Sequence, residues 1–336
     1  MGQIEETLNL SLDFAGIKMK SPVMVASGTF GYGEEFMNIF DVNQLGAIVV
    51  KGTTLEPRWG NPLPRIAETP SGMLNSIGLQ NVGVEGFIKE KLPMFKRVGI
   101  RAPIIVNISG HSIEEFEEVA RRLDQAAGSE PRLGGRAGGI QGLELNISCP
   151  NIKYASSRTF SHDPKTTFEV VRTVRKKTRL PLIVKLSPDV TDIVEIAQSA
   201  VRGGADALAI TNTFPGMAID AETRRPKIAR VEGGLSGPAI KPLALRLVWK
   251  VFQTVKRPIV GMGGIMNGTD AIEFFIAGAS TVAVGTANFI NPKASVEVLD
   301  GIAMYLKRHS LSHTKSLVGS LLVPTLNPQS AIRNPQ

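Results

Sequence analysis

Pro181-Leu-Ile-Val-Lys-Leu-Ser187 is a short apolar run that ends on polar residues. Its apolar residues follow one another without strict alternation, which is typical of a parallel strand buried on both faces. Seven more runs of this kind occur. The predicted strands are Pro22–Ala26, Gly46–Lys51, Pro103–Ile108, Gly142–Ile147, Pro181–Leu186, Asp206–Thr211, Pro258–Met262 and Thr281–Gly285.

Helical patterns follow most of these runs. They are predicted at Ile113–Gln125, Pro164–Thr178, Val190–Arg202, Pro238–Val255, Thr269–Ala277 and Pro292–Arg308. Eight strands alternating with helices predict an α/β fold, the closed TIM (β/α)8 barrel, in which no strand edge is left open.

Four segments lie outside this repeat. Leu8–Lys20 alternates like an N-terminal hairpin that could cap the bottom of the barrel, and Thr53–Asn81 is a Pro/Gly/Asn-rich connection long enough to act as a functional cover. Gly128–Gly139 is predicted to be a surface loop, with no functional interpretation. We expect one barrel domain over residues 1–309 and a poorly ordered C-terminal tail over residues 310–336.

Composition excludes several classes of protein. The 336 residues are 43% hydrophobic with a net charge of +8, and the densest basic run, Arg172–Arg179, is interpreted as a solvated helix face without the aromatics of a nucleic-acid site. A single cysteine, Cys149, excludes an intrachain disulfide and a cysteine-ligated cluster. With four scattered histidines, no leader-like N-terminus and no long apolar run, we expect no metal, no membrane span and a cytoplasmic location.

The ends of the predicted strands carry polar residues or glycine. In strand order they are Ser27-Gly28, Lys51-Gly52, Asn107, Asn146, Lys185, Thr211-Asn212-Thr213, Gly263-Gly264 and Gly285-Thr286. Any one of them could serve only to start a turn or cap a helix. Because barrel active sites lie at the carboxyl ends of the strands, all eight together predict a shared ligand pocket.

The glycines after strands seven and eight predict a phosphate site. Gly261-Met-Gly-Gly264 and Val284-Gly-Thr286 lie where barrels bind phosphate through backbone N–H groups, although glycines used only for tight turns remain an alternative. Met266 occupies the third glycine position of a dinucleotide fingerprint, so direct binding of NAD is not expected.

Three side chains favour a flavin. The amides of Asn107 and Asn146 could reach the polar edge of an isoalloxazine, and Lys185 could supply the cation that a reduced flavin requires. The alternative for Lys185 is a lysine paired with a carboxylate inside the barrel.

Cys149 follows strand four, in Leu145-Asn-Ile-Ser-Cys-Pro-Asn151, at the predicted catalytic face. A lone cysteine is more often a small buried apolar residue. Its position and the absence of a competing Ser/His/Asp arrangement make it the candidate general base.

Several motifs together resemble class 1 dihydroorotate dehydrogenases from about Leu8 to Arg308. They are Asn146-Ile-Ser-Cys-Pro-Asn151, Asn75-Ser-Ile-Gly-Leu-Gln-Asn81, Lys51-Gly-Thr-Thr54, Thr211-Asn-Thr213, Gly233-Gly-Leu-Ser-Gly-Pro238, Gly261-Met-Gly-Gly-Ile265 and Val284-Gly-Thr-Ala287. Ala26–Gly33, Thr211–Thr213 and Leu235–Pro242 resemble subclass 1B, the catalytic subunit of an NAD-linked complex.

The resemblance implies oxidation of dihydroorotate to orotate in pyrimidine biosynthesis. Cys149 would remove the C5 proton while hydride passes from C6 to N5 of FMN. The implied FMN contacts are Ser27, Lys51, Gly52, Asn107, Asn146, Lys185, Thr211, Gly237, Gly263, Gly264, Gly285 and Thr286. The implied substrate contacts are Lys51, Asn75, Ser76, Ile77, Gly78, Leu79, Asn146, Asn212 and Thr213.

The resemblance also implies a homodimeric core with a partner subunit carrying FAD and an iron–sulfur cluster. The chain departs from the family after the cysteine, where Asn151–Ser161 replaces paired glycines and a Phe-Gly step. The alternatives are the fumarate-linked subclass 1A, another phosphate-binding barrel lyase or isomerase, and a flavin carrier without catalysis.

Overall fold

The computed structural model describes residues 8–128, 138–148 and 160–323. Its strands are β1 (Leu12–Phe14), β2 (Ile17–Met19), β3 (Val23–Val25), β4 (Ala47–Thr53), β5 (Ile66–Thr69), β6 (Gly72–Asn75), β7 (Ile104–Ile108), β8 (Ile140–Asn146), β9 (Leu182–Lys185), β10 (Ala207–Ile210), β11 (Phe214–Gly216), β12 (Ile219–Asp220), β13 (Arg225–Pro226), β14 (Gly233–Ser236), β15 (Ile259–Met262) and β16 (Thr281–Val284).

The helices are α1 (Gly83–Gly86), α2 (Leu92–Arg97), α3 (Ile113–Ala127), α4 (Pro164–Arg175), α5 (Ile193–Gly203), α6 (Lys241–Thr254), α7 (Gly268–Ala277), α8 (Ala287–Ile290) and α9 (Ala294–Arg308). A π-helical turn, Phe87–Lys91, joins α1 to α2. Short 3-10 helices occur at Glu34–Phe36, Val42–Gln44, Phe160–His162, Pro238–Ile240 and Thr314–Leu317. None of the helices in the described ranges is long and apolar enough to cross a membrane.

Eight strands close into a parallel barrel, as predicted. Their order is β3-β4-β7-β8-β9-β10-β15-β16, and β16 pairs back to β3. Each coincides with one of the eight apolar runs. Two predicted helix starts also hold, since the Ser112 and Asp163 side chains accept from backbone N–H groups and begin α3 at Ile113 and α4 at Pro164. Three helices begin later than predicted: α5 at Ile193, where the Asp192 side chain caps it, α6 at Lys241 after a 3-10 turn, and α9 at Ala294.

The core has two layers. The outer layer lies between the strands and the helices, and the inner layer fills the barrel. The predicted N-terminal hairpin, β1–β2, contributes Phe14, Ile17 and Met19 to the inner layer. Met19 lies against Gly46 and Ile17 against Gly142, close to the amino ends of β4 and β8, so the hairpin closes the bottom of the barrel.

The predicted cover is a four-stranded antiparallel sheet, ordered β11-β14-β6-β5. The Thr53–Asn81 segment is therefore not a loop throughout, because it supplies β5 and β6. The other half comes from β11 and β14, which follow barrel strand β10. We predicted neither this second half nor the helical segment α1–α2 between β4 and β7.

Some expectations fall partly or wholly outside the described residues. Residues 129–137 of the predicted Gly-rich surface loop do, as do Cys149, Pro150 and residues 151–159 of the atypical loop. Residues 310–323 lie on the barrel surface, where the backbone N–H of Gly319 donates to the carbonyl of Phe275 at 3.0 Å. Residues 324–336 lie outside the described ranges, and the domain division at residue 309 stays a prediction.

Asn81 anchors the cover to the barrel. Its buried side chain accepts from the backbone N–H groups of Thr54 (3.2 Å) and Gly83 (2.8 Å), and it donates to the carbonyl of Leu79 at 2.7 Å. One amide thus joins the end of the cover segment to the start of α1.

We predict that Asn81→Ala lowers the free energy of unfolding by about 2 kcal/mol, since buried donors and acceptors lose their partners. Urea denaturation measures the change. Asn38→Ala, at an exposed position, is the control and should stay close to the parent. Equal stability of the two variants would contradict the anchoring role.

Candidate active site

The inward-facing residues of the barrel change from apolar to polar toward the carboxyl ends of the strands. Successive inward positions on a strand are two residues apart. Lys51 therefore follows Val49, Asn107 follows Ile105, Lys185 follows Ile183, Thr211 follows Ala209, and Asn146 follows Glu144. The apolar members of these columns belong to the inner core, so the polar members meet above it.

These polar ends open into a cavity of about 430 Å³ under the cover. The predicted site residues that line it are Ser27, Lys51, Gly52, Asn75, Ile77, Gly78, Leu79, Asn107, Asn146, Lys185, Thr211, Asn212, Thr213, Gly237, Gly263, Gly264, Gly285 and Thr286. The structure thus brings together residues from all eight barrel strand ends and from the cover.

Two predicted residues are not in this lining. Ser76 is buried in the cover, where its backbone N–H donates to the carbonyl of Arg65 and its carbonyl accepts from Asn61, both at 2.8 Å. Its binding role stays a prediction. Cys149 lies outside the described residues, and its catalytic role also stays a prediction.

Glu144 is a buried charged residue beneath the cavity floor that the sequence analysis did not single out. One carboxylate oxygen of Glu144, Oε1, accepts from Asn107 Nδ2 at 2.5 Å and lies 3.7 Å from Lys185 Nζ. Glu144 and Lys185 are 2% and 5% exposed. Lys185 therefore both faces the cavity and pairs with a carboxylate, which combines its two predicted interpretations. The period of two along Gly142–Asn146 could have revealed Glu144.

Lys51 is the second cation of the cavity wall. Burial lowers the pKa of its ammonium, the carboxylate of Glu35 opposes this shift, and the cations of Lys91 and Arg65 add to it. Because it is only half-buried, Lys51 remains accessible to a charged ligand from the cavity.

A chain of hydrogen bonds links the ends of β10 and β8. Asn212 Nδ2 donates to Ser148 Oγ at 2.8 Å, and this hydroxyl donates to Asn146 Oδ1 at 2.9 Å. On the cover, Asn75 Nδ2 donates to the carbonyl of Gly234 at 3.3 Å. Hydrogen bonds thereby hold three predicted substrate-binding amides, those of Asn75, Asn146 and Asn212, in the cavity wall.

Glycines line the end of the cavity that lies across the barrel from Asn107, Asn146 and Lys185. Gly237, Gly263 and Gly264 have φ values of 95°, 122° and 79°, a region that other residues rarely adopt. A Cβ at Gly264 would lie 2.9 Å from the carbonyl oxygen of Gly237. Thr286 Oγ1 donates to Ser236 Oγ at 2.7 Å at this end. The close backbone approach and the two hydroxyls suit a phosphate group.

The whole cavity fits a flavin that carries a phosphate. Asn107 Oδ1 is buried and has no hydrogen-bond partner among the residues that the structure describes. This oxygen on the cavity floor can accept a hydrogen bond from an N–H group of a ligand. Lys185 also lies on the floor, and the glycine cradle formed by Gly237, Gly263 and Gly264 lies at the opposite end of the cavity. Within the described ranges, no cluster of three or more His, Cys, Asp or Glu residues could hold a metal ion.

The lining also includes residues that sequence reasoning did not assign to the site. Among them are Gly234 and Ser236 on β14, Met266 after β15 and Phe289 in helix α8. The first two lie in the Gly233–Pro238 motif that resembles the family, whereas Met266 and Phe289 are apolar and do not mark a binding site in the sequence.

Comparisons with a family profile and with individual relatives both identify the same family. The sequence profile of the family described as dihydroorotate dehydrogenase matches residues 9–306. The chain is similar to proteins named dihydroorotate dehydrogenase B (NAD(+)), catalytic subunit. It is 52% identical over 314 residues to that of Geotalea uraniireducens (94% of this chain, 98% of the relative). Identity is 53% over 313 residues for Geobacter sp. strain M21 (93% and 98%) and 52% over 314 for Alkaliphilus metalliredigens (94% and 99%).

We predict that Gly264→Ala destabilises the protein by about 1–3 kcal/mol more than Gly99→Ala, because the added methyl overlaps the cavity wall. Gly99 is the matched control, since its φ is +80° but a Cβ there meets nothing within 4 Å. Guanidinium denaturation of both variants measures the difference. An equal loss of unfolding free energy in the two variants would contradict the prediction, because it would show that the cavity wall at Gly264 accommodates a methyl group.

Proposed function

The chain belongs to the dihydroorotate dehydrogenase family, and we propose that it is the catalytic subunit of an NAD-linked enzyme that oxidises dihydroorotate to orotate in pyrimidine biosynthesis. The observation that carries the proposal is the cavity itself, which combines a buried acceptor, two cations, convergent amides and a glycine cradle under one cover. A lyase or isomerase on the same barrel is set aside because the family match spans the barrel.

Family membership implies a flavin, and we propose FMN. Asn107, Asn146 and Lys185 would hold its polar ring edge, with Ser27, Lys51, Gly52 and Thr211 around the ring. The phosphate contacts would come from Gly237, Gly263, Gly264, Gly285 and Thr286. FMN would supply a two-electron acceptor that receives hydride at N5.

Dihydroorotate carries a carboxylate and ring amides, and the cavity offers matching groups. Lys51 is the accessible cation for the carboxylate. The amides of Asn75, Asn146 and Asn212 and the hydroxyl of Thr213 would hold the ring polar atoms, while Ile77–Leu79 would cover it. These contacts would hold C5 and C6 in fixed positions, and fixing the reacting atoms is itself a large part of catalysis.

Cys149 is proposed as the base that removes the C5 proton. The Cys149 thiolate would take up the C5 proton, and with the C6 hydride taken up by the flavin, the C5–C6 double bond of orotate would remain. The support is its position three residues after Asn146 and its resemblance to the family motif. A thiol acts as a base when neighbouring cations favour the thiolate.

A partner subunit is proposed to take the electrons onward. The relatives are named catalytic subunits, which implies a second subunit. The one cysteine of this chain is assigned to catalysis, so the chain cannot ligate an iron–sulfur cluster itself. We therefore place FAD and the cluster on the partner, around a homodimeric core in the cytoplasm.

For the base, we predict that Cys149→Ala retains FMN but slows reduction of the flavin by dihydroorotate about 10²–10⁴-fold, the usual contribution of a general base. Cys149→Ser should fall between the two because its hydroxyl has a far higher pKa. Anaerobic stopped-flow absorbance measures the rates. An alanine variant that reduces at the parent rate would remove Cys149 from the proton transfer.

For the electron acceptor, we predict that the chain alone reduces dyes or oxygen with dihydroorotate but reduces NAD only when the partner subunit is added. Steady-state assays with NAD and with fumarate distinguish the possibilities. Robust NAD reduction by the isolated chain would contradict the relay, and robust fumarate reduction would assign it to subclass 1A.

For Lys51, we predict that orotate binding weakens as pH rises, because deprotonation removes the charge that attracts the carboxylate. Burial lowers the pKa of Lys51, so this weakening should begin at lower pH than for an ordinary lysine. Lys51→Arg is the control, because its guanidinium stays charged over this pH range. Any titration of orotate itself affects both proteins equally, so only the difference between them reports on Lys51. Equal pH dependence of orotate dissociation constants in both proteins would contradict the assignment.

A further inference from the structure

Glu144 is a buried carboxylate to which the proposed reaction assigns no part. It lies in the middle of β8, is 2% exposed, and contacts Asn107 and Lys185 through the same oxygen. Both contacts line the cavity, whereas Glu144 itself is not part of the lining.

Stability alone does not explain a charge at this position. Burying a carboxylate and an ammonium costs solvation that their attraction often fails to recover, and an apolar replacement of similar volume is frequently as stable. The surrounding inward positions of the barrel are apolar, among them Ile105 and Ile183. Because an apolar residue would be about as stable at this position, we expect Glu144 to have a function in the cavity above it.

The carboxylate determines which way the Asn107 amide faces. An ionised carboxylate only accepts hydrogen bonds, so the Asn107 NH₂ group must face Glu144. Asn107 Oδ1 then faces away, and it is buried with no partner among residues 8–128, 138–148 and 160–323. With Glu144 neutral, the opposite amide orientation becomes available and the cavity loses a defined acceptor.

The same oxygen restrains Lys185 without using up its donors. The 3.7 Å separation from Lys185 Nζ is an ion-pair distance, longer than a hydrogen bond. Among the residues that the structure describes, this ion pair holds the ammonium near the floor without a hydrogen bond, so its N–H groups can donate to a ligand.

We propose that Glu144 is a positioning residue, which fixes the Asn107 amide and the Lys185 ammonium side by side so that the floor presents one acceptor and one cation to the polar edge of the bound flavin. This inference rests on the proposed function. Its electrostatic consequence has a definite sign, because the negative charge of Glu144 opposes, and the positive charge of Lys185 favours, the gain of negative charge on flavin reduction.

The test compares four variants for FMN dissociation constant, flavin midpoint potential and melting temperature. Glu144→Gln should weaken FMN binding about tenfold or more, since the amide direction is no longer fixed, and should raise the midpoint potential. Lys185→Met should lower the potential. Glu144→Asp keeps the charge but shortens the reach, so it should weaken FMN binding while its potential stays nearer the parent.

Asp206→Asn is the matched control. Asp206 accepts from Arg175 at 2.8 Å and precedes β10, at the opposite end of the barrel. This variant should lower the melting temperature only. If both Glu144 variants behave like Asp206→Asn, or if the potential of Glu144→Gln fails to rise, the inference is overturned. A parent protein that binds no FMN would overturn the proposed function instead, and if Glu144→Gln does not fold, Glu144→Asp and Lys185→Met still decide the matter.

Discussion

Parallel closure places the carboxyl ends of all eight barrel strands on one rim. With a side-chain period of two, each inward column that is apolar at the bottom can carry one polar residue at the top. Val49 and Lys51 on β4, and Ile183 and Lys185 on β9, show the pattern. The apolar lower part of each column stabilises the barrel, which leaves the upper positions free for binding and chemistry.

This arrangement of the strands also brings the buried charges of Glu144 and Lys185 into contact. Glu144, Asn107 and Lys185 come from three neighbouring strands, β8, β7 and β9, and meet only because these strands pair in register. A carboxylate inside a barrel is tolerated when it is paired and hydrogen-bonded. Here its partners are the groups proposed to hold the flavin, so the same contacts that compensate the buried charge also orient the site.

The barrel and most of the cavity lining could be predicted because their signals are local. Continuous apolar runs mark the strands, and the residue after each run marks the rim. The helical segment α1–α2 was missed because Gly83, Gly86 and Pro93 weaken its pattern. The cover sheet was missed because β6 pairs with β14, far away in the sequence. The period of two along β8 marks Glu144 as an inward residue, but its contacts with Asn107 and Lys185 lie on other strands and could not be predicted from the local pattern.

Anaerobic addition of dihydroorotate to the purified, FMN-loaded chain tests the central claim most directly. The account predicts that the yellow flavin bleaches and that one orotate forms for each flavin reduced, without any partner subunit. Bound FMN that stays oxidised in the presence of saturating dihydroorotate would contradict it.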